Sequence, residues 1–410
     1  MSDWKKVKLG EISLNIQTGP FGSQLHQSDY EDTGVPVIMP KDIINGKICD
    51  DTIARISSDL SCKLLKYHVE FEDIIYPRRG DISKCAIVDK SQIGWLCGTG
   101  CLKISIDKSL AKSKFIYYEL QLPKQIGWII NHAIGATMLN LNTNILQNVP
   151  IDLPSINTQN RIAEILSRYD SLIENYQKQI KLLEESAQRL YKEWFVDLRF
   201  PGYENTKIVD GAPEGWEKKC LGDIFTFVRG KSYTSKELSD AGTIMVNLKN
   251  VQPFGGYKRG AEKHITGTFK EEQLLQKGDL VMGVTDMTQE RRLVGQVALI
   301  PNLDQIATFS MDLIKIIPYK IPKIFLYCTM RYGGISDRIS PLANGVNVLH
   351  LKPEAMMDIE MIVPNLDTIN KFSTLINKQI DKLLSLQNQT ILLTEARDRL
   401  LPKLMNGEFL

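Results

Sequence analysis

The sequence predicts an α+β fold: two tandem α/β globular domains, each followed by a long α-helix. The two helices are expected to pair as an antiparallel coiled coil, with the halves related by a pseudo-twofold internal repeat. Three observations carry this prediction. Trp4-Lys5-Lys6-Val7-Lys8-Leu9-Gly10-Glu11-Ile12 returns as Trp216-Glu217-Lys218-Lys219-Cys220-Leu221-Gly222-Asp223-Ile224, an offset of 216 − 4 = 212. Residues 135–141 return as 345–351, and Pro154 returns as Pro364, both at an offset of 364 − 154 = 210. After each proline comes a long apolar-periodic stretch. A fixed period of this kind marks a repeat, and two copies of one unit imply a pseudo-symmetric molecule that touches two similar things at once.

The first globular domain is placed at residues 1–154. Its short β-branched runs (Val35-Pro36-Val37-Ile38, Ile74-Ile75-Tyr76, Cys85-Ala86-Ile87-Val88, Leu102-Lys103-Ile104-Ser105-Ile106) are separated by Gly, Asp and Pro, which predicts a strongly bent sheet. Residues 114–122 are read as a helix. The first long helix is placed at 155–198, and a linker with the second globular domain at 199–364. That domain repeats the order with Ile244-Met245-Val246, Asp279-Leu280-Val281-Met282, Gln296-Val297-Ala298-Leu299-Ile300 and 313–317, then a helix at 323–332. The second long helix is placed at 365–410.

The long helices are the clearest local signal. Ile162, Leu166, Tyr169, Ile173, Tyr176, Ile180, Leu183, Ala187, Leu190 and Trp194 step alternately by four and three, an uninterrupted heptad seam. Shifting by 210 gives Phe372, Ile376, Gln379, Leu383, Leu386, Thr390, Leu393, Arg397, Leu400 and Leu404, the same seam with three polar breaks. Those breaks either fix the register of the pair or sit at its edge, and Arg397 is placed at the edge. Asn157 or Thr158, and Asp367 or Thr368, are the expected N-caps. Phe200-Pro201-Gly202 is expected to end the first helix, and Pro402 to end or kink the second early. A helix of about 40 residues is about 60 Å long at ~1.5 Å per residue. The pair reads as a spacer holding two globular domains apart.

At 410 residues, each half can bury its own core, and 43% hydrophobic with 24% charged residues is ordinary globular composition. Residues 1–6 have no apolar stretch behind them, which predicts no secretory signal. No run approaches the ~18 apolar residues of a membrane helix, so no membrane partner is expected. The seven cysteines are irregularly spaced and read as scattered reduced thiols. A net charge of +2 leaves composition silent on the partner.

Catalytic motifs fail in turn. Gly230-Lys231-Ser232 resembles the end of a phosphate-binding loop, but the glycine required five positions earlier is Phe225. Asp210 with Glu217-Lys218-Lys219 mimics part of a nuclease site in an interdomain segment and reads as a chance string. His26, His68, His132, His264 and His350 lack metal-ligand spacing, and Cys97 and Cys101 have no second pair. The expectation is a chain with no catalytic residue, no metal site and no bound cofactor.

Binding chemistry remains. Arg78, Arg79 and Lys84 lie on a basic, Gly-kinked loop after a strand, and its counterpart at 283–293 carries Arg291 and Arg292. Thr18, Ser23 and Gln24 lie on the turn that opens the first domain, echoed by Arg229, Lys231 and Ser232 in the second. Lys41, Lys249 and Asn250 complete the candidate set. Arg suits bidentate contact to guanine, Asn and Gln suit adenine, and Lys, Ser and backbone amides suit phosphates. Recurrence of basic loops in both halves favours the set over its alternative, solvated surface loops.

Three strings then carry a resemblance: WFVDLRFPG at 194–202, GAPEGW at 211–216 and RLLPKLMNGEF at 399–409. With the Trp-x(4)-Leu-Gly-(Glu/Asp)-Ile opening of each half and Thr18-Gly19-Pro20-Phe21-Gly22, the whole chain resembles the specificity subunit of type I restriction–modification systems. The resemblance implies two target-recognition domains, each reading half of a bipartite double-stranded DNA site, with the helix pair setting the gap. It implies two methyltransferase subunits docked on the helices and domain flanks, two restriction/translocase subunits, and a cytoplasmic, nucleoid-associated setting in a bacterium or archaeon. S-adenosylmethionine, ATP and Mg would belong to those partners. The differing loops of the two halves predict an asymmetric site. The rival readings are a coiled-coil scaffold with no DNA role and a nuclease or methyltransferase in its own right.

Overall fold

The structure is a computed structural model that describes residues 4–135 and 139–408. Residues 136–138 of the repeated 135–141 segment, and Phe409 of the C-terminal string, lie outside the described residues. The chain divides into two compact units, Met1–Leu172 with Thr394–Leu410, and Ile173–Leu393. Each long helix therefore contributes to both.

In the first unit, Lys5–Lys8 pairs antiparallel with Pro150–Leu153, Val7 opposite Ile151. An antiparallel sheet runs in the order Ser13–Thr18, Cys101–Ile106, Ile74–Pro77, Ala86–Ile87. A second sheet runs in the order Leu96–Cys97, Val35–Ile38, Ala54–Ile56, Tyr30–Glu31, its first pair parallel. The second unit repeats this strand for strand. Glu217–Cys220 pairs with Glu360–Val363. One sheet runs Phe225–Arg229, Leu313–Pro318, Leu280–Gly283, Val297–Leu299, and the other Ala307–Phe309, Thr243–Val246, Lys263–Ile265, Leu238–Ser239. The repeat is thus one of topology as well as of sequence.

Two sheets replace the single bent sheet expected. The chain leaves one and enters the other through Gly98 and Gly100, between Leu96–Cys97 and Cys101–Ile106. The close approach there demands glycine: a Cβ on Gly19 would lie 2.0 Å from Gly98 O, and one on Gly230, its counterpart, 2.0 Å from Ser310 O. Each half therefore holds its domain-opening turn against the sheet crossover.

The helices span Ile156–Tyr191 and Leu366–Met405. Their caps lie earlier than expected: Ser155 Oγ accepts from Thr158 N at 3.3 Å, and Asn365 Oδ1 from Thr368 N at 2.9 Å. Each capping side chain immediately follows the repeated proline. The first helix closes through a π-turn, Lys192–Val196, rather than running on to Phe200. Pro402 does not end the second helix, which continues to Met405. So near the C-terminal end a proline costs one intrahelical bond, and Asn406 N still donates to Pro402 O at 3.0 Å.

Each unit by itself shows antiparallel pairing. In the first, Ile162, Ala163 and Leu166 from the start of one helix share a core with Leu404 and Met405 from the end of the other. In the second, Ala187, Tyr191 and Trp194 share a core with Ile369, Phe372 and Ile376. None of the seam residues Ile162, Leu166, Tyr169, Ile173, Tyr176, Ile180, Leu183, Leu190, Phe372, Ile376, Leu383, Leu386, Leu393 and Leu400 is exposed. The short helices pack as Ser113–Glu119 and Lys323–Tyr332, the first ending before the 122 expected.

Candidate nucleic-acid interface

The basic loops grow from matched frames. In the first unit Arg78 N donates to Gly100 O at 2.7 Å, and Leu141 N donates to Arg78 O at 2.9 Å. Arg79 is bridged to Asn140. In the second, Val284 N donates to Asp312 O at 2.9 Å and Leu351 N to Val284 O at 2.8 Å, and Thr285–Asp286 pairs with Leu349–His350. Val284 is therefore the structural counterpart of Arg78. Arg291 and Arg292 belong to extra chain inserted after it. The buried Asp286 carboxylate ties that insertion down, accepting from Thr288 N at 2.8 Å, Thr288 Oγ1 at 2.9 Å and Leu293 N at 2.8 Å. The two repeats share their walls and differ in what the walls carry.

Apart from Asn250, the candidate side chains fall into three groups. Ser23, Gln24, Arg79, Ser232 and Lys249 are exposed, and Thr18 is half-buried beside Gly19. Gln24 Oε1 accepts from Tyr67 OH at 2.7 Å. Arg78 and Arg291 are half-buried, each with its Nε enclosed and without a hydrogen bond among the described residues. The remaining cations carry their own acids: Lys41 with Asp42 at 3.6 Å, Lys84 with Asp81 at 3.9 Å, Arg229 with Glu354 at 2.7 Å, Lys231 with Glu237 at 3.0 Å, and Arg292 with Glu290. The hydrogen bond from Arg229 holds the Glu354 carboxyl below its ordinary range, and the Thr234 amide followed by Lys231 does the same for Glu237. These pairs show locally how basic loops coexist with a net charge of +2.

Asn250 is a correction. It is 0% exposed, its Oδ1 accepts from Asn247 N at 2.9 Å and its Nδ2 donates to Lys258 O at 2.9 Å. Both ends of the amide hold a turn, so the side chain is not presented to a base. Met287 and Val346, 78% and 89% exposed, were not singled out from the sequence. They stand on adjoining loops joined by a bond from Gln289 Nε2 to Val346 O of 2.7 Å, and no periodicity marks such residues.

Polar clamps also escaped the sequence. In the first unit Arg397 Nη1 donates to Asp170 Oδ1 at 2.7 Å, and the Tyr118 hydroxyl donates to Asp170 Oδ2. Arg397 also bonds Asp398 on its own helix, at 2.8 Å. The Arg397 and Asp170 side chains are each only 25% exposed, so Arg397 is not the edge residue expected. Burial opposes its charge, but the Asp170 and Asp398 carboxylates outweigh burial and hold its pKa above the ordinary value. Burial, then the Asp170 charge, push the Tyr118 phenol up, so it stays a neutral donor. In the second unit Arg331 bonds Glu184 at 3.1 Å, Tyr327 OH at 2.7 Å and Phe254 O at 3.1 Å.

The family model for the type I restriction modification DNA specificity domain matches residues 1–185 and again 213–401. The chain belongs to this family. It is similar to the MjaIX type I restriction enzyme specificity subunit of Methanocaldococcus jannaschii, 26% identical over 441 residues that cover 99% of this chain and 93% of that protein. The HindI type I restriction enzyme specificity subunit of Haemophilus influenzae is 22% identical and covered end to end, 100% of both chains. Among solved structures, the type I restriction–modification S subunit from M. genitalium shares the fold, with a TM-score of 0.64 at 19% identity, over 98% of this chain and 96% of that one. As a type I specificity subunit the chain is a DNA-recognition component, and the two matched segments are its internal repeat. Among the described residues no helix is long and apolar enough to cross a membrane.

Proposed function

We propose that each globular domain reads one half of an asymmetric, bipartite double-stranded DNA site, and that the antiparallel helix pair sets the gap and helps dock methyltransferase subunits. The observation that carries this reading is one strand order built twice with unlike loops. Identical frames present two readers in equivalent ways, and unlike side chains give them unlike targets. Arg79 with Gln24 and Ser23 would read the first half-site, and Arg291, Arg292 and Ser232 the second. Thr18, Arg78, Lys41, Lys84, Arg229, Lys231 and Lys249 would hold phosphates, which displace the paired acids where these are present. The chain is the non-catalytic subunit. Two adenine-N6 methyltransferase subunits and two ATP-dependent translocating nuclease subunits complete the complex, and S-adenosylmethionine, ATP and Mg act on them. The setting is the cytoplasm of a bacterium or archaeon, at the nucleoid.

Modified-base sequencing of the source cell's genome, with and without this chain, tests the reading. One asymmetric, gapped N6-methyladenine motif should vanish on deletion. A methylation pattern unchanged by deletion in a cell that expresses the methyltransferase subunit would contradict it.

A further inference from the structure

The apolar seam cannot choose its own register. Heptad positions repeat every seven residues, so sliding one helix past the other by seven sets apolar positions against apolar positions again. Such a slide is about 10.5 Å at ~1.5 Å per residue, roughly three base-pair steps of ~3.4 Å. The apolar cores hold the helix ends, and a polar contact across the helix pair would add a direct choice between these alignments.

Among the three polar breaks of the second helix, Gln379 leaves its buried Oε1 without a hydrogen bond among the described residues. Thr390 Oγ1 bonds back to Leu386 O of its own helix at 2.8 Å. Arg397 reaches across, to Asp170 of the first helix at 2.7 Å. A seven-residue slide would set Arg397 opposite Ala163 or Gln177 and Asp170 opposite Leu404 or Thr390, and none of these supplies a countercharge. The second Asp170 oxygen is taken by Tyr118, on the helix Ser113–Glu119 of the globular domain. One carboxylate thus joins three elements: both long helices and the domain beside them.

We infer that Tyr118, Asp170 and Arg397 form a register lock, positioning residues that select one heptad alignment of the helix pair, and so one gap length, from several that the apolar seam would accept. This rests on the spacer role proposed above. Replacing a buried ion pair by well-packed apolar residues often leaves stability unchanged or raised, and the lock adds that here the choice of alignment is lost with the charges. The lock therefore predicts a separation of stability from gap choice.

The full chain, assembled with its methyltransferase partner, is assayed for methyl transfer to duplexes carrying both half-sites at gaps varied one base pair at a time. The native chain should methylate one gap. The variant Y118F/D170L/R397L should melt no lower, yet methylate sites with a gap about three base pairs away roughly tenfold better relative to the native gap, a loss of ~1.4 kcal/mol of discrimination. A triple variant that keeps the single sharp gap overturns the lock. If that variant does not assemble, R397K and R397M decide: the ammonium should keep the single gap and the thioether should broaden it, and matching profiles overturn the lock. A four-residue insertion in the first helix separates the two levels. If it moves the gap while the triple variant stays sharp, the lock alone fails; if it leaves the gap in place, the spacer role itself fails.

Discussion

In the first unit, where the start of one long helix meets the end of the other, a phenol, a carboxylate and a guanidinium clamp an aliphatic junction. In the second unit, where the opposite ends meet, aromatic rings carry it. Phe195 stands 4.8 Å from Phe372, 5.3 Å from Phe325 and 5.9 Å from Trp216, centroid to centroid, and Trp194 stands 5.8 Å from Phe372. The chemistry of the two junctions differs although the backbone repeats. Aromatic burial is strong and non-directional, so it supplies adhesion with little choice of alignment. A half-buried ion pair costs desolvation, and the register lock inferred above assigns it the choice of alignment. A repeat that needs both properties can place one at each junction.

Breaking the aromatic junction should have the largest effect. Phe372→Ala empties the centre of the cluster, where the ring is fully buried. It should cost about 3–5 kcal/mol, read as a lowered denaturant midpoint; a loss under ~1 kcal/mol would show the cluster to be loosely packed. The readers come next. Arg79→Ala should weaken recognition of the first half-site alone by about 1–3 kcal/mol, and Arg292→Ala that of the second alone. Binding to duplexes with one half-site scrambled checks this, and equal losses on both half-sites would contradict separate readers. Asp170→Ala leaves Arg397 and Tyr118 without their shared acceptor. With each member of the ion pair 25% exposed, the expected loss is about 1–2 kcal/mol, less than for a fully buried pair. Glu354→Gln should change stability least, because Arg229 and Glu354 are exposed. It frees Arg229 for phosphate, so affinity for non-specific duplex should rise and the salt dependence steepen; unchanged binding would remove Arg229 from the interface.

The same comparison shows what the sequence can carry. Heptad spacing from Ile162 to Trp194 placed the helices, because periodicity is a local property that burial of one face imposes. Strand positions such as Leu280–Gly283 were legible for the same reason. The division into two sheets was not, since it depends on partners as remote as Val37 and Leu96. Arg397 looked like an edge residue because nothing in its own helix reveals that Asp170 stands opposite. Asn250 looked like a surface amide because a capping Asn and a base-reading Asn are the same residue in different turns. Of the paired cations, Arg229 was hidden in the same way, because Glu354 is 354 − 229 = 125 positions away, whereas Lys41, Lys84, Lys231 and Arg292 have their acids within a few residues in sequence. Local order reads from sequence, and the chemistry of contact does not.

Inserting four residues in the first helix tests the central claim most directly. The insertion adds about 6 Å at ~1.5 Å per residue, close to two base-pair steps of ~3.4 Å. The methylated motif should keep both half-sites and widen its gap. A motif with an unchanged gap, or with altered half-sites, would contradict two readers held apart by a helical spacer.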